Sequence, residues 1–465
     1  MLNNFRQTLA TFNRNVRLYL LTSLLLGLSV DGVYAVLFNL FLLRLGYDPK
    51  IIGYINSAGL FTFAFTSLPA GLLGSRFGSR RMLMVGVIAV LSGGTWVPLA
   101  QSVPPAWEQT WIMLGYMLLM GGFAIFFVNG SPFMMGTAAE GQRNQVFATQ
   151  AAFNALAGFG GSLLGGALPG VVSRFLALDL TNPEPYRYPM QVLVFLMIPA
   201  YFLIRATEEP RADLAERDAK QGQHKERETA VSLSRQERSR LFPLWGRFRW
   251  SLVVGIPRRL PKPKLALASL KQLPLLLILL LAVIRLMQVA GLGTTATFIN
   301  VYLDTELQVS TARIGLLTSV SRLVGVPAAL LVPSLTKRFG NMNVAIAGSL
   351  GAALCILPIA LVPHWLVAGL GFVGARIMTS LRYPAFQVYS LELVEPKLQS
   401  MLAGVMGLAA GLSFALMAFF GGFVITASSF QTLFLIGSTI TLVGTAVLWL
   451  FHMSRRTVAV EVAGD

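Results

Sequence analysis

The chain has 465 residues, of which 55% are hydrophobic and 12% charged, with 44 glycines. No soluble globule has this balance, and the glycine content suits helices packed closely in lipid. The formal charge of +17 does not call for nucleic acid, because residues 205–271 alone hold 16 basic and 8 acidic side chains, a concentration that belongs beside anionic lipid head groups.

Apolar periods predict helices, in chain order, over 16–43, 51–74, 82–101, 111–135, 145–174, 189–206, 273–303, 313–336, 342–362, 365–392, 398–425 and 430–453. Residues 51–75, 82–107, 109–139, 144–173 and 398–454 contain no Asp, Glu, Lys or Arg, whereas a bilayer core needs only about 20 such residues per helix. Backbone groups in hydrocarbon must be paired within their own segment, so the expected fold class is an all-α membrane protein with twelve transmembrane helices. The polar, basic start from Met1 to Arg17 and the long first helix read as a retained anchor rather than a cleaved signal.

Orientation follows from the joints. Arg6, Arg14, Arg17, Arg76, Arg80, Arg81, Arg143, Lys337, Arg338, Lys397, Arg455 and Arg456 fall on one side, with the central loop. Arg44, Lys50, Arg174, Arg187 and Arg313 fall on the other. Positive residues are retained in the cytoplasm, so both termini and the loop are expected there, in a multi-pass protein of the plasma (inner) membrane. Within the loop, residues 235–271 set ten basic residues and interleaved aromatics against a lone Glu237, the composition of a segment lying on the membrane surface. The single cysteine, Cys355, lies in an apolar helix and is expected only to pack.

The sequence repeats itself at an offset of about 260 residues. Phe38, Asn39, Phe41, Leu42 and Gly53 are matched by Phe298, Asn300, Tyr302, Leu303 and Gly315. Arg76-Phe77-Gly78 returns as Arg338-Phe339-Gly340, and Pro132 and Glu140 as Pro384 and Glu392. The expected division is therefore a six-helix bundle over 1–206, a cytoplasmic linker over 207–270 and a second six-helix bundle over 271–465. In helix 5, Gly161 and Gly165 have the spacing that brings helix backbones together, and Gly407 and Gly411 are its expected counterpart in the repeat.

With this architecture the chain resembles the major facilitator superfamily, whose members have six plus six helices, a cytoplasmic linker and a glycine- and arginine-rich joint between helices 2 and 3. Here that joint runs from Gly71 through Ser75, Arg76, Gly78 and Arg80 to Arg81. The resemblance implies a conformational gate at Gly71, Arg76, Gly78, Arg80, Glu140 and Arg143. Ser75 stands where the family carries a latching Asp, so the latch itself is not expected to transfer. The proline of helix 5 does not follow its glycine as the antiporter motif of the superfamily requires, and antiport is not inferred.

Five ionisable residues fall inside predicted spans: Asp31, Arg285, Arg322, Arg376 and Arg382. Such groups cost about 2.5–3.5 kcal/mol each at the bilayer centre and are expected to face a wet cavity. Helical spacing places Arg376, Thr379, Tyr383 and Gln387 on one face of helix 10, Arg285, Gln288 and Thr295 on one face of helix 7, and Asp31, Tyr34 and Phe38 together on helix 1. The resemblance implies that helices 1, 4, 7 and 10 line the cavity, which adds Asn129. The sharpest expectation is a pair between Asp31 and Arg285 whose exchange couples transport to protons; a static ion pair is the competing reading. Four arginines against one aspartate favour an anionic substrate, unless Arg382 pairs with Glu392 or Glu140 and Arg322 bonds helix carbonyls. Tyr34, Phe38 and Phe126 offer instead an apolar pocket for amphiphilic compounds.

Phosphate-binding, zinc-protease and serine-hydrolase motifs are missing, and only His224, His364 and His452 occur. No catalysis, cofactor or metal is expected. The leading expectation is a monomeric secondary transporter of a small solute. The alternative is a sensor or scaffold that keeps the fold without transport.

Overall fold

The computed structural model describes residues 12–138, 142–209 and 274–463, and within them the chain forms twelve long helices and no strand. The first six are α1 (Arg14–Arg44), α2 (Pro49–Phe77), α3 (Ser79–Ser102), α4 (Pro105–Thr137), α5 (Arg143–Leu176) and α6 (Glu184–Arg205). The second six are α7 (Pro274–Thr305), α8 (Thr311–Phe339), α9 (Asn341–Leu361), α10 (Trp365–Glu392), α11 (Pro396–Ala427) and α12 (Phe430–Ala463). Eleven are long and apolar enough to cross a bilayer. The exception in composition is α10, whose 28 residues include Arg376, Arg382, Tyr383 and Gln387. The sixth helix begins at Glu184, earlier than its apolar run, because Pro185 fits the first turn, where its missing N–H would have no partner anyway.

The repeat is structural. Both α2 and α8 end on a glycine with positive φ, Gly78 at 96° and Gly340 at 81°, a conformation that other residues reach only with strain. In each joint the arginine covers the adjacent ring, Arg76 5.3 Å from the centre of Phe77 and Arg338 5.1 Å from that of Phe339.

Within the first bundle α1 packs on α5, and α4 on α2 and α3; within the second, α7 packs on α11 and α12, and α10 on α8 and α9. Two long seams join the bundles, α2 with α11 and α5 with α8. In one seam Gly53 lies against the Ala418 carbonyl and Gly422; in the other Gly315 lies against the Ser162 carbonyl and Gly166. The seams are thus counterparts, and they correct the expected match of glycines. Gly161 and Gly165 serve α1 inside the first bundle, against Gly32 and Val33, whereas Gly407 has open space beside it among the described residues and Gly411 meets Ala64 of α2.

Helix ends define two faces. The near face holds the start of α1 and the α2–α3 and α8–α9 joints; the far face holds the α1–α2 and α7–α8 joints. From Gly53 and Gly422 the α2–α11 seam stays closed as far as Ala64 and Gly411. Beyond it, toward the near face, a Cβ at Gly404 or Gly407 would meet nothing within 4 Å among the described residues, and Leu68, Leu72, Tyr383 and Gln387 are exposed. The bundles meet at the far face and part toward the near one.

Candidate functional site

Asp31 sits in a widened, π-helical turn of α1, Gly27–Tyr34. Such turns insert a residue and commonly mark functional positions. Packing against α5 and α6 holds this one: Gly32 lies against Gly161, and the Ser29 hydroxyl donates to the Leu193 carbonyl at 3.1 Å. From here Asp31 interacts electrostatically with Arg322 of α8 and Arg376 of α10, both in the other bundle. Arg322 runs past Gly158, where a Cβ would stand 3.0 Å from its Cδ, and Arg376 lies 5.7 Å from the centre of the Phe372 ring. The Nε atoms of both arginines have no hydrogen-bond partner among the described residues, and all three side chains are partly accessible.

Arg285 is not the neighbour of Asp31 in this conformation. Counted along the helices at 1.5 Å per residue, Asp31, Arg322 and Arg376 stand about 24–26 Å from the near end, while Arg285 and Arg382 stand only about 15–17 Å from it. The charges therefore form two layers. In the lower layer Arg285 is 6% exposed, with its guanidinium carbon 5.0 Å from the centre of the Tyr383 ring and 5.8 Å from that of Phe386. Arg382, 1% exposed, donates from Nη1 to the Gln288 carbonyl at 3.1 Å. It does not pair with Glu392, whose carboxylate accepts from Asn341 at 3.3 Å. A recess of about 120 Å³ opens beside Arg285, walled by Tyr383, Phe386, Gln387, Leu402 and Met406.

Four residues expected at the cavity turn elsewhere. The π turn rotates Tyr34 and Phe38 away from the direction of Asp31: the Tyr34 hydroxyl donates to the Gly94 carbonyl of α3, and Phe38 stacks on Tyr116 of α4 with centroids 4.1 Å apart. Phe126 is likewise buried, stacked on Tyr19 at 5.7 Å. Asn129 is 1% exposed and donates to the carbonyls of Ala70 and Ile125, at 3.1 and 2.9 Å, so it ties α4 to α2. An apolar pocket from Tyr34, Phe38 and Phe126 does not form, because all three fill the first bundle's core.

The far face is clasped across the bundles. Arg44 at the end of α1 grips Asp304 of α7 through two bonds of 2.8 and 2.7 Å, and its guanidinium lies 5.2 Å from the centre of the Tyr186 ring. The Arg44 Nε also donates to the Leu180 carbonyl at 2.9 Å. That loop is held by Asp179, whose carboxyl the Thr181 backbone N–H keeps below the usual carboxylate range. One layer deeper, Asn39 donates to the Thr297 carbonyl at 2.7 Å and Asn300 to the Ala35 carbonyl at 3.0 Å. The two asparagines are repeat counterparts, so the clasp is reciprocal.

The Major Facilitator Superfamily model matches residues 19–287 and again 281–463. The chain belongs to this superfamily. Solved structures with the same fold include a point mutant of the nucleoside transporter NupG (13% identity, TM-score 0.67, covering 94% of this chain and 100% of that one). A D-xylose-proton symporter aligns at 15% identity and a TM-score of 0.68, over 94% and 97% of the two chains. The inward-open xylose transporter XylE from E. coli gives 15% identity and a TM-score of 0.66, over 94% and 95%. No curated protein sequence matches the chain.

In superfamily terms the described gate candidates of the near face, Gly71, Arg76, Gly78, Arg80 and Arg143, sit on the first bundle. Arg80 donates to the Arg205 carbonyl at 2.6 Å, Ser75 to Leu72 at 2.9 Å, and Gly71 packs near Val128. The Nε of Arg143 has no hydrogen-bond partner among the described residues; Glu140 lies outside them, as do residues 210–273 of the linker. The far-face clasp is what sequence reasoning misses. The repeat match of Asn39 with Asn300 is the available signal for it, whereas Arg44 reads there only as a loop charge.

Proposed function

We propose that the protein is a secondary transporter, rather than an enzyme, that carries a small solute by rocking two bundles, residues 1–206 and 271–465, about the Asp31 layer. The near face is cytoplasmic in this reading, by the excess of Lys and Arg there, and the conformation is open to the cytoplasm. Membership of the superfamily supports transport, and the solved relatives are named for small solutes: a nucleoside, xylose, and 5-aminolevulinic acid bound to a POT family transporter.

One observation carries the coupling. Asp31 belongs to one bundle and its cationic neighbours, Arg322 and Arg376, to the other, so rocking changes the charge around it. When the arginines move off, a carboxylate in a low-dielectric site is neutralised by a proton; when they return, the proton leaves. Asp31 is thereby the coupling group, and Tyr383 and Gln387 line the solute path below it, with Gln288 buried behind them.

The test is flux in proteoliposomes, using a solute found by thermal stabilisation of the purified protein. An imposed inward-acid gradient should drive accumulation by the native protein but not by Asp31→Asn, which should retain only downhill exchange. Unchanged pH dependence in Asp31→Asn sinks the coupling. Absence of flux for every solute that binds favours the sensor reading.

A further inference from the structure

The lower charge layer places two guanidiniums together without a carboxylate. Arg285 and Arg382 are 6% and 1% exposed, they are electrostatic neighbours, and the described residues give neither an ion pair. Arg285 Nη1, Arg382 Nε and both amide atoms of Gln288 are buried without hydrogen-bond partners among the described residues. Adjacent like charges in such surroundings repel, and each unmade bond to a charged group is costly, so an anion beside the pair stabilises the arrangement. Aromatic faces do not supply that charge: the Tyr383 and Phe386 rings flank one guanidinium but leave its edge free.

We infer that the recess beside Arg285 binds the anionic head of a small amphipathic solute, a carboxylate or a phosphate monoester, whose apolar body lies along Tyr383, Leu402 and Met406. Two features set this class. The fork of Arg285 suits two oxygens of one oxyanion. The volume of about 120 Å³ approaches the ~150 Å³ of an engineered cavity that takes benzene, so it admits a ring or a short chain rather than an ion alone. The inference rests on the transporter reading for its purpose, yet its binding chemistry is tested without transport.

The experiment is thermal stabilisation and calorimetric titration of the full chain in detergent with benzoate and octanoate. Their neutral amides, inorganic phosphate, and mixed micelles of phosphatidylglycerol or phosphatidylcholine are the comparison arms. Saturable stabilisation by the two acids, absent with their amides, is the expected result. Arg285→Gln should weaken it by about tenfold or more, the loss of one charge-assisted pair of bonds, while Arg285→Lys keeps part of it. Both variants must first match the native melting profile in the absence of additive; should Arg285→Gln fail to fold, Gln387→Leu, which removes a polar group from the recess wall but not the charge, takes its place. Equal binding of acids and amides overturns the inference. So does stabilisation by phosphate alone, which makes the site one for an inorganic ion, or by phosphatidylglycerol alone, which makes it one for lipid. Acid binding without any flux leaves the anion site standing and removes the transporter reading; flux of neutral solutes with no acid binding does the reverse.

Discussion

Asn39 shows how much one side chain can decide. Its Oδ1 accepts from Asn56 at 2.8 Å, which fixes the amide so that its Nδ2 points across the seam to the Thr297 carbonyl. Replacing it by alanine removes that bond and strips the Asn56 amide of one acceptor, at a cost of about 1–3 kcal/mol to the conformation closed at the far face. The expected outcome is a roughly 5–150-fold rise in the open population. It is read as faster alkylation, by an impermeant reagent added at the far face, of a Thr297→Cys reporter in a Cys355→Ser background. Arg44→Gln should act in the same direction through Asp304, and less strongly, because that pair is 20% and 10% exposed. The presence of charges within spans was legible in the sequence. Their partners were not: spacing gives the face of a helix, and the distance of each charge from a helix end depends on where that helix starts in the membrane. Arg285 and Asp31 look equally central in the linear sequence, yet about six residues of axial offset place them in different layers.

At the scale of the helix, the glycines divide by function. Gly161 lies against Gly32 within one bundle, whereas Gly166 and Gly315 lie against each other between bundles. Gly161→Val should therefore destabilise the fold itself, by about 1–3 kcal/mol or more as overpacking, and lower the melting temperature in every conformation. Gly315→Val should leave the bundle intact but push the α5–α8 seam apart, giving faster labelling of the Thr297→Cys reporter with a small change in melting. If the two variants behave alike, the division is wrong. The helices themselves were readable from apolar runs, including α10 despite its arginines. The π turn was not: an added residue per turn leaves no mark in composition, and it shifts the register of Tyr34 and Phe38 relative to Asp31, which with their contacts to Gly94 and Tyr116 puts both in the core.

For the whole molecule, the two faces should differ in reactivity. Cysteines at Tyr383 and Gln387, both exposed, should label from the near face at about ten times or more the rate of one at Thr297 from the far face. A solute that binds and closes the near face should reverse that order. The two-bundle architecture was readable because the repeat preserved the order of its matches from Phe38 to Glu392. The seams were not, since Gly53 and Gly315 gain their meaning only from Gly422 and Gly166 opposite them, residues that matching the two halves does not pair.

The reciprocal asparagines end on peptide oxygens rather than on side chains. Positions 35 and 297 can consequently exchange one residue for another with no loss of the bond, so long as their helices hold their shape. A lock built this way tolerates mutation in its keyholes and none in its keys: Asn39 and Asn300, with Asn56 holding the first of them in place, carry the side-chain demand of this layer.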